Sequence, residues 1–175
     1  DTAKKTALIA ETEDGGCTRI SYAELHERVR RFAGGLKALG LRRGDRVGLL
    51  MEPGIEAVVS MIGLSYMGAV VMPLFSGFGA APIIARLDAC KARALIATTG
   101  FSRRGKRIDV ARVALEVRER IGLEHLVLKP AEGEALPGEG VTNWHDIAAG
   151  PMAGERAEPM RTDETFMVFY TSGTT

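Results

Sequence analysis

In the stretch SYAELHERVRRFAGGLKALG, apolar residues fall at Leu25, Val29, Phe32, Leu36 and Leu39, the three-and-four spacing of a single helix face. Ser21 stands where a first-turn cap belongs, and Glu24, three residues on, can reach back to the Ser21 amide in a capping box. Gly40 supplies the stop. Ahead of this helix, Ala7 to Glu11 reads as a strand, followed by a turn at Asp14-Gly15-Gly16.

Downstream the period changes repeatedly. Arg46 to Met51 is a short apolar run that predicts a buried strand, and Pro53-Gly54 then opens a buried helix from Ile55 to Tyr66. Gly68 ends that helix, AVVMPL returns as strand, GAAPIIARLDAC as helix with Pro82 near its first turn, and RALIAT as strand. Val110, Val113, Val117 and Ile121 share one side of the next helix, with Arg112, Glu116 and Glu119 on the other. EHLVLK follows as strand. Residues 129–142 and 150–165, rich in Pro, Gly and Glu, read as exposed loops, with a short helix from Trp144 to Ala149 between them. Phe166 to Tyr170 is apolar on both sides, as expected of a central strand in a parallel sheet, with Tyr170 in the strand core. The alternation predicts an α/β fold with a doubly wound, largely parallel sheet and helices on both faces.

The composition removes several classes of function. Lys and Arg total 23 against 22 Asp and Glu, for a net charge of +1, so there is no electrostatic footprint for nucleic acid or an anionic lipid surface. The longest apolar stretch, GIEAVVSMIGLSYMGAVVMPLF, approaches the length of a membrane span. Glu56, Gly68 and Pro73 divide it into a buried helix and a buried strand instead. Cys17 and Cys90 lie far apart and read as reduced structural thiols of a cytoplasmic protein. His26, His125 and His145 are equally scattered, so neither a metal site nor a catalytic triad is legible. The N-terminal residues carry no cleavable apolar segment, and the absence of an initial Met leaves room for an upstream portion. Asp45 with Arg46 reads as a local turn pair, Trp144 as a packing anchor, and Met51, Met61, Met67 and Met72 as core filler.

Candidate chemistry gathers at the end of the chain. In open α/β sheets ligands collect at the carboxyl ends of strands, and Thr171-Ser172-Gly173-Thr174-Thr175 follows such an end. Glycine lets a backbone approach an anion, successive N–H groups form a nest, and hydroxyls add donors without bulk. A phosphate cradle fits that composition, although the Gly-Lys-Ser/Thr ending of a Walker loop is absent. Against this stands the plainer reading of TSG alone as a turn.

YTSGTT resembles the opening of the phosphate loop of the adenylate-forming superfamily, which continues with Gly, a variable residue and Pro-Lys-Gly. That superfamily includes acyl-CoA synthetases, peptide-synthetase adenylation domains and firefly luciferases. The order Tyr-x-Glu-Leu, Leu-Gly, Gly-Asp-Arg-Val, buried helix, Gly-Ala-Val and proline in residues 19–74 is similar to the family's N-terminal region. Residues 74–110, LFSGFGAAPIIARLDACKARALIATTGFSRRGKRIDV, resemble the AMP-forming acetyl-CoA synthetases and related short-chain acyl-CoA synthetases.

The resemblance implies that a carboxylate, ATP with Mg²⁺, and coenzyme A are the partners. Thr171, Ser172, Gly173, Thr174 and Thr175 would hold ATP phosphates. Arg103, Arg104 and Lys106 would bind the ribose 3′-phosphate of coenzyme A, with Gly77 and Phe78 against its body. Guanidinium forks suit phosphate, and Gly105 lets a loop curl round an anion; as a bare sequence, R-R-G-K is also an ordinary solvated loop. No catalytic residue and no metal ligand is assigned. By the same resemblance, residues 1–175 are a partial N-terminal AMP-binding domain cut within the phosphate loop, without the C-terminal domain and inactive alone. Two alternatives stand: an adenylation domain that loads a carrier-protein thiol, and a nonenzymatic truncated interaction module.

Overall fold

A computed structural model describes residues 1–12, 15–75, 77–103, 106–131 and 133–170, with backbone only at 102, 103 and 106. Strands β1 (Thr6–Glu11) and β2 (Cys17–Ser21) form an antiparallel hairpin. β2 is a strand that the sequence pattern does not announce, since Ile20 is its single buried residue. Ser21 ends β2 and caps helix α1 (Tyr22–Ala38). Its Oγ accepts from the Glu24 amide at 3.2 Å while Glu24 Oε2 accepts from the Ser21 amide at 2.7 Å, closing the expected capping box.

The main sheet contains β3 (Arg46–Leu50), β4 (Val70–Pro73), β5 (Ala94–Thr98), β8 (His125–Lys129) and β9 (Val141–Asn143), all parallel, in the order β4-β3-β5-β8-β9. Helices α2 (Ile55–Tyr66), α3 (Ala80–Ala89) and α4 (Val110–Ile121) form the crossovers, and α5 (Trp144–Ala148) follows β9. A second hairpin, β6 (Gly100–Arg103) with β7 (Lys106–Asp109), stands between β5 and α4. Both β9 and this hairpin fall in segments whose sequence reads as loop.

Side chains alternate across the sheet. Val47, Leu49, Ala94, Ile96 and Val127 meet Phe32, Leu36, Val59, Leu64 and Trp144 of the layer built by α1, α2 and α5. Leu50, Leu95, Ala97, Leu126 and Leu128 meet Ile83, Leu87, Val110, Ala114 and Val117 of the layer built by α3 and α4. The doubly wound arrangement with helices on both faces is therefore present. Trp144 is the anchor it was expected to be: its ring lies 5.2 Å from that of Phe32, and Nε1 donates to Ser60 Oγ at 2.8 Å. Met67 and Met72 are fully buried, and Met51 and Met61 are partly so.

Helices α1, α2 and α3 end alike. The amide of Leu41 reaches Leu36 O, that of Ala69 reaches Leu64 O, and that of Ala92 reaches Leu87 O, each across one residue at positive φ. That residue is Gly40 and Gly68 in the first two, and Lys91 in the third.

Phe166–Tyr170 joins the sheet in parallel through one bridge, Met167 to Val71 on the outer side of β4, and within this span Phe166 and Phe169 are 59% and 70% exposed. Among the described residues nothing pairs with its other side. Tyr170, the last described residue, is 37% exposed, its hydroxyl 3.2 Å from Arg86 O and 3.1 Å from Cys90 Sγ. Asp45 does shape its turn, accepting from the Arg42 amide, but its ion pair is with distant Arg93 at 2.6 Å. Arg46 donates locally to Gly44 O at 3.4 Å and, farther along the chain, to the carbonyls of Cys90 and Lys91.

The α1 backbone packs closely against α5 and the segment after it. A Cβ on Gly34 would lie 1.8 Å from Pro151 O, and one on Gly35 2.1 Å from Ile147 O. The same contact includes Arg30, whose guanidinium donates to Ala153 O at 2.9 and 3.1 Å. We expect Gly34→Ala to lower the unfolding free energy by about 3 kcal/mol, the upper part of the range for overpacking against rigid neighbours. Gly79→Ala, where an added Cβ meets nothing within 4 Å, should be near neutral; urea denaturation of the two variants measures the contrast.

Candidate active site

The strand connections reverse direction between β3 and β5. β3 is followed by α2 on one face of the sheet, and β5 leads through the β6–β7 hairpin to α4 on the other. Loops diverge at such a point and leave a crevice at the carboxyl ends of the strands. A cleft of about 690 Å³ occupies that place, with Met51, Glu52, Phe75, Phe101 and Lys129 in its wall. Glu52 follows β3, Phe75 follows β4, Phe101 belongs to β6, and Lys129 closes β8.

Glu52 is the chemically unusual member. Burial holds its carboxyl above the ordinary carboxylate range, Lys129 opposes this, and Glu56 adds to it. Lys129 Nζ is 3.9 Å from Oε1, while Oε2 is buried with no hydrogen-bond partner. Sequence reasoning missed both residues. The available signal was position: each is a charged side chain at the carboxyl end of a strand that is otherwise buried.

A second, more apolar cleft of about 520 Å³ lies beside the first, walled by Leu74, Phe75, Phe78, Arg86, Phe169 and Tyr170. The Phe78 amide donates to Phe75 O at 3.1 Å, and the two rings meet edge to face at 5.4 Å. A Cβ at Gly77 would lie 2.4 Å from the Phe75 ring, so glycine there leaves room for that ring against Phe78. The Arg86 guanidinium sits over Phe78 at 4.5 Å and over Tyr170 at 5.1 Å. The structure thus brings Gly77 and Phe78 next to Tyr170, the residue that precedes Thr171.

Of the other residues singled out in the sequence, Arg103 and Lys106 are paired positions of the β6–β7 hairpin. Arg104 and Thr171, Ser172, Gly173, Thr174 and Thr175 lie outside the described residues. Phe101 of the hairpin and Phe75 of the Phe75–Phe78 turn flank the first cleft, so the two segments expected to meet one ligand do border one space. Among the described residues no group of three or more His, Cys, Asp or Glu could hold a metal ion, and no helix is long and apolar enough to cross a membrane.

The profile of the AMP-binding enzyme family matches residues 1–175. The chain belongs to that family. It is 38% identical over 178 residues to an acetyl-coenzyme A synthetase of Cupriavidus necator, covering 99% of this chain and 27% of the relative. An acetyl-coenzyme A synthetase of Chromobacterium violaceum is 36% identical, again over 99% of this chain and 27% of the relative. Among solved structures, acetoacetyl-CoA synthetase from Streptomyces lividans superimposes with a TM-score of 0.90 at 28% identity, covering 98% of this chain and 26% of that one. An acyl-CoA synthetase from Brucella canis gives 0.79 at 25% identity, covering 98% and 29%. This AMP-binding chain therefore spans about a quarter of the length of the relatives it matches.

The buried carboxyl gives the family member a pH signature. A folded-state pKa above the unfolded one means that the native state binds the proton more tightly, so stability contributed by Glu52 is present at acid pH and is lost as pH rises through the folded value. Glu52→Gln should therefore raise the melting temperature at neutral pH, with the difference from the parent shrinking as the pH falls into the acid range. Melting curves across that range measure it; a variant less stable than the parent at neutral pH would contradict the burial argument.

Proposed function

We propose that the protein to which this chain belongs is an AMP-forming acyl-CoA synthetase acting on acetate or another short-chain acid. The observation that carries the reading is the match of 99% of the chain, at 38% identity, to an acetyl-coenzyme A synthetase. In this reading residues 1–175 are the N-terminal part of an AMP-binding domain. The activity belongs to the whole protein, and the chain alone is inactive.

The reaction has two steps. The substrate carboxylate attacks the α-phosphorus of ATP, giving acyl-adenylate and pyrophosphate, and the coenzyme A thiol then displaces AMP. A carboxylate is ionised at neutral pH, so the first step needs no general base. The barrier is lowered by donors set where charge builds on the departing pyrophosphate. The hydroxyls of Thr171, Ser172, Thr174 and Thr175 and the amide of Gly173 take that role. Mg²⁺ would accompany the nucleotide; among the described residues no group of three or more His, Cys, Asp or Glu could hold it.

Coenzyme A is assigned to the side bounded by the β6–β7 hairpin and the Phe75–Phe78 turn. Arg103, Arg104 and Lys106 meet its phosphate, and Gly77 and Phe78 lie against its body. The adjoining clefts fit a ligand with an anionic end and an apolar body, because aromatic rings and a guanidinium share one wall. The protein is expected to act in the cytoplasm on small molecules, without nucleic acid or a membrane span.

The test uses the full-length protein with ATP, acetate and coenzyme A, and follows AMP release. Arg103→Ala with Arg104→Ala should raise the KM for coenzyme A by about tenfold to a hundredfold, the worth of charge-assisted phosphate contacts. Unaltered use of coenzyme A would remove this assignment. Acyl transfer solely to a carrier-protein thiol would favour the loading-domain reading, and indifference to ATP would favour an interaction module.

A further inference from the structure

The β6–β7 hairpin is a small two-stranded unit, and two strands alone are marginally stable in water. What holds it to the body is visible at its root. Phe101 and Ile108 pack against the α3–α4 layer. The amides of Val110 and Ala111 both donate to Thr99 O, at 3.1 and 2.8 Å. Thr98 Oγ1 donates to Gly100 O at 3.2 Å, and a further tie is a side chain from a different part of the chain. Glu134, in the connection between β8 and β9, accepts from Thr99 Oγ1 on one oxygen at 2.8 Å and pairs with Arg107 Nη2 through the other.

One carboxylate therefore joins the end of β5, strand β7 and the loop after β8. Its neighbours are arranged for this. Thr99 is buried, and its oxygen also accepts from the Ala131 amide at 3.0 Å, tying the same loop from a second point. Gly100 leaves the space that Arg107 crosses: a Cβ there would lie 3.2 Å from Arg107 Nη2 and 2.6 Å from Ile108 O. Arg107 is adjacent to Lys106, which pairs with Arg103 across the hairpin.

We propose that Glu134 is a positioning residue for coenzyme A, fixing through Arg107 and Thr99 the direction in which the hairpin presents Arg103 and Lys106. This rests on the reading that the hairpin meets the phosphate of coenzyme A. A bidentate acceptor that bridges a guanidinium and a buried hydroxyl sets angle as well as distance, which a nonpolar contact at Phe101 does not. With Glu134 neutralised the hairpin keeps its apolar root and its strands but samples a wider range of directions, and ligand binding must then select among them.

Steady-state kinetics of the full-length protein test this. Glu134→Gln and Arg107→Ala should each raise the apparent KM for coenzyme A by about tenfold. ATP–pyrophosphate exchange with acetate, which involves no coenzyme A, should stay at the parent rate for Glu134→Gln. Combining the two substitutions should add little to either alone, because both remove one shared interaction. Arg107→Lys, which keeps the charge but loses the fork, should fall between Arg107→Ala and the parent. Unchanged KM in Glu134→Gln, exchange falling in step with the KM effect, or multiplicative effects of the pair would each overturn the proposal. The Arg103→Ala, Arg104→Ala protein in the same assay separates the two levels. If it loses affinity for coenzyme A and Glu134→Gln does not, the positioning role fails while the coenzyme A assignment stands. If neither loses affinity, the assignment itself fails and the positioning role goes with it.

Discussion

The architecture depends on a parallel sheet that is dry on both faces. β3 shows the constraint most clearly: Val47 and Leu49 face one helical layer, Gly48 and Leu50 the other, and all four are buried. Even the glycine follows from it, because a Cβ at Gly48 would meet Leu87 of α3 at 2.7 Å. A sheet sealed in this way leaves little place for polar chemistry except where its strands stop, since a charge on either face would be buried without a partner. Glu52 and Lys129 stand at those stops, and so do the turns that carry Gly77, Phe78 and the β6–β7 hairpin.

Local physics was legible in the sequence, and long-range pairing was not. The Ser21–Glu24 box, the glycine stops at Gly40 and Gly68, and the helix from Ile55 to Tyr66 depend on neighbours within a few residues, and each has the form its pattern announces. β2, β6, β7 and β9 escaped because they are short and carry no sustained apolar alternation. Cys17, Thr18 and Arg19 of β2 are all exposed, and β9 is half-buried throughout. They are strands because of what lies beside them.

The same distinction governs the site. Gly77 and Phe78 came from resemblance to a family, and their neighbourhood with Tyr170 emerged from the fold alone. Glu134 sits in a Pro-, Gly- and Glu-rich stretch that any compositional reading assigns to solvent, yet it is the acceptor of a buried threonine hydroxyl. Of its partners, Arg107 is separated from it in sequence by α4 and β8, and Thr99 by the β6–β7 hairpin as well. Only the β5–β8 pairing brings them within reach.

Trp144 is the single tryptophan of the chain, and it is enclosed between Phe32 and Ser60 in the layer of α1, α2 and α5. Its indole emission is thus a built-in optical gauge for that half of the molecule. Loosening of the α1 seam at Pro151 changes the surroundings of the ring, whereas movement of the hairpin or of the α3–α4 layer on the far side of the sheet leaves its emission unchanged. Observing ligand-driven motion on that far side calls for a label placed there.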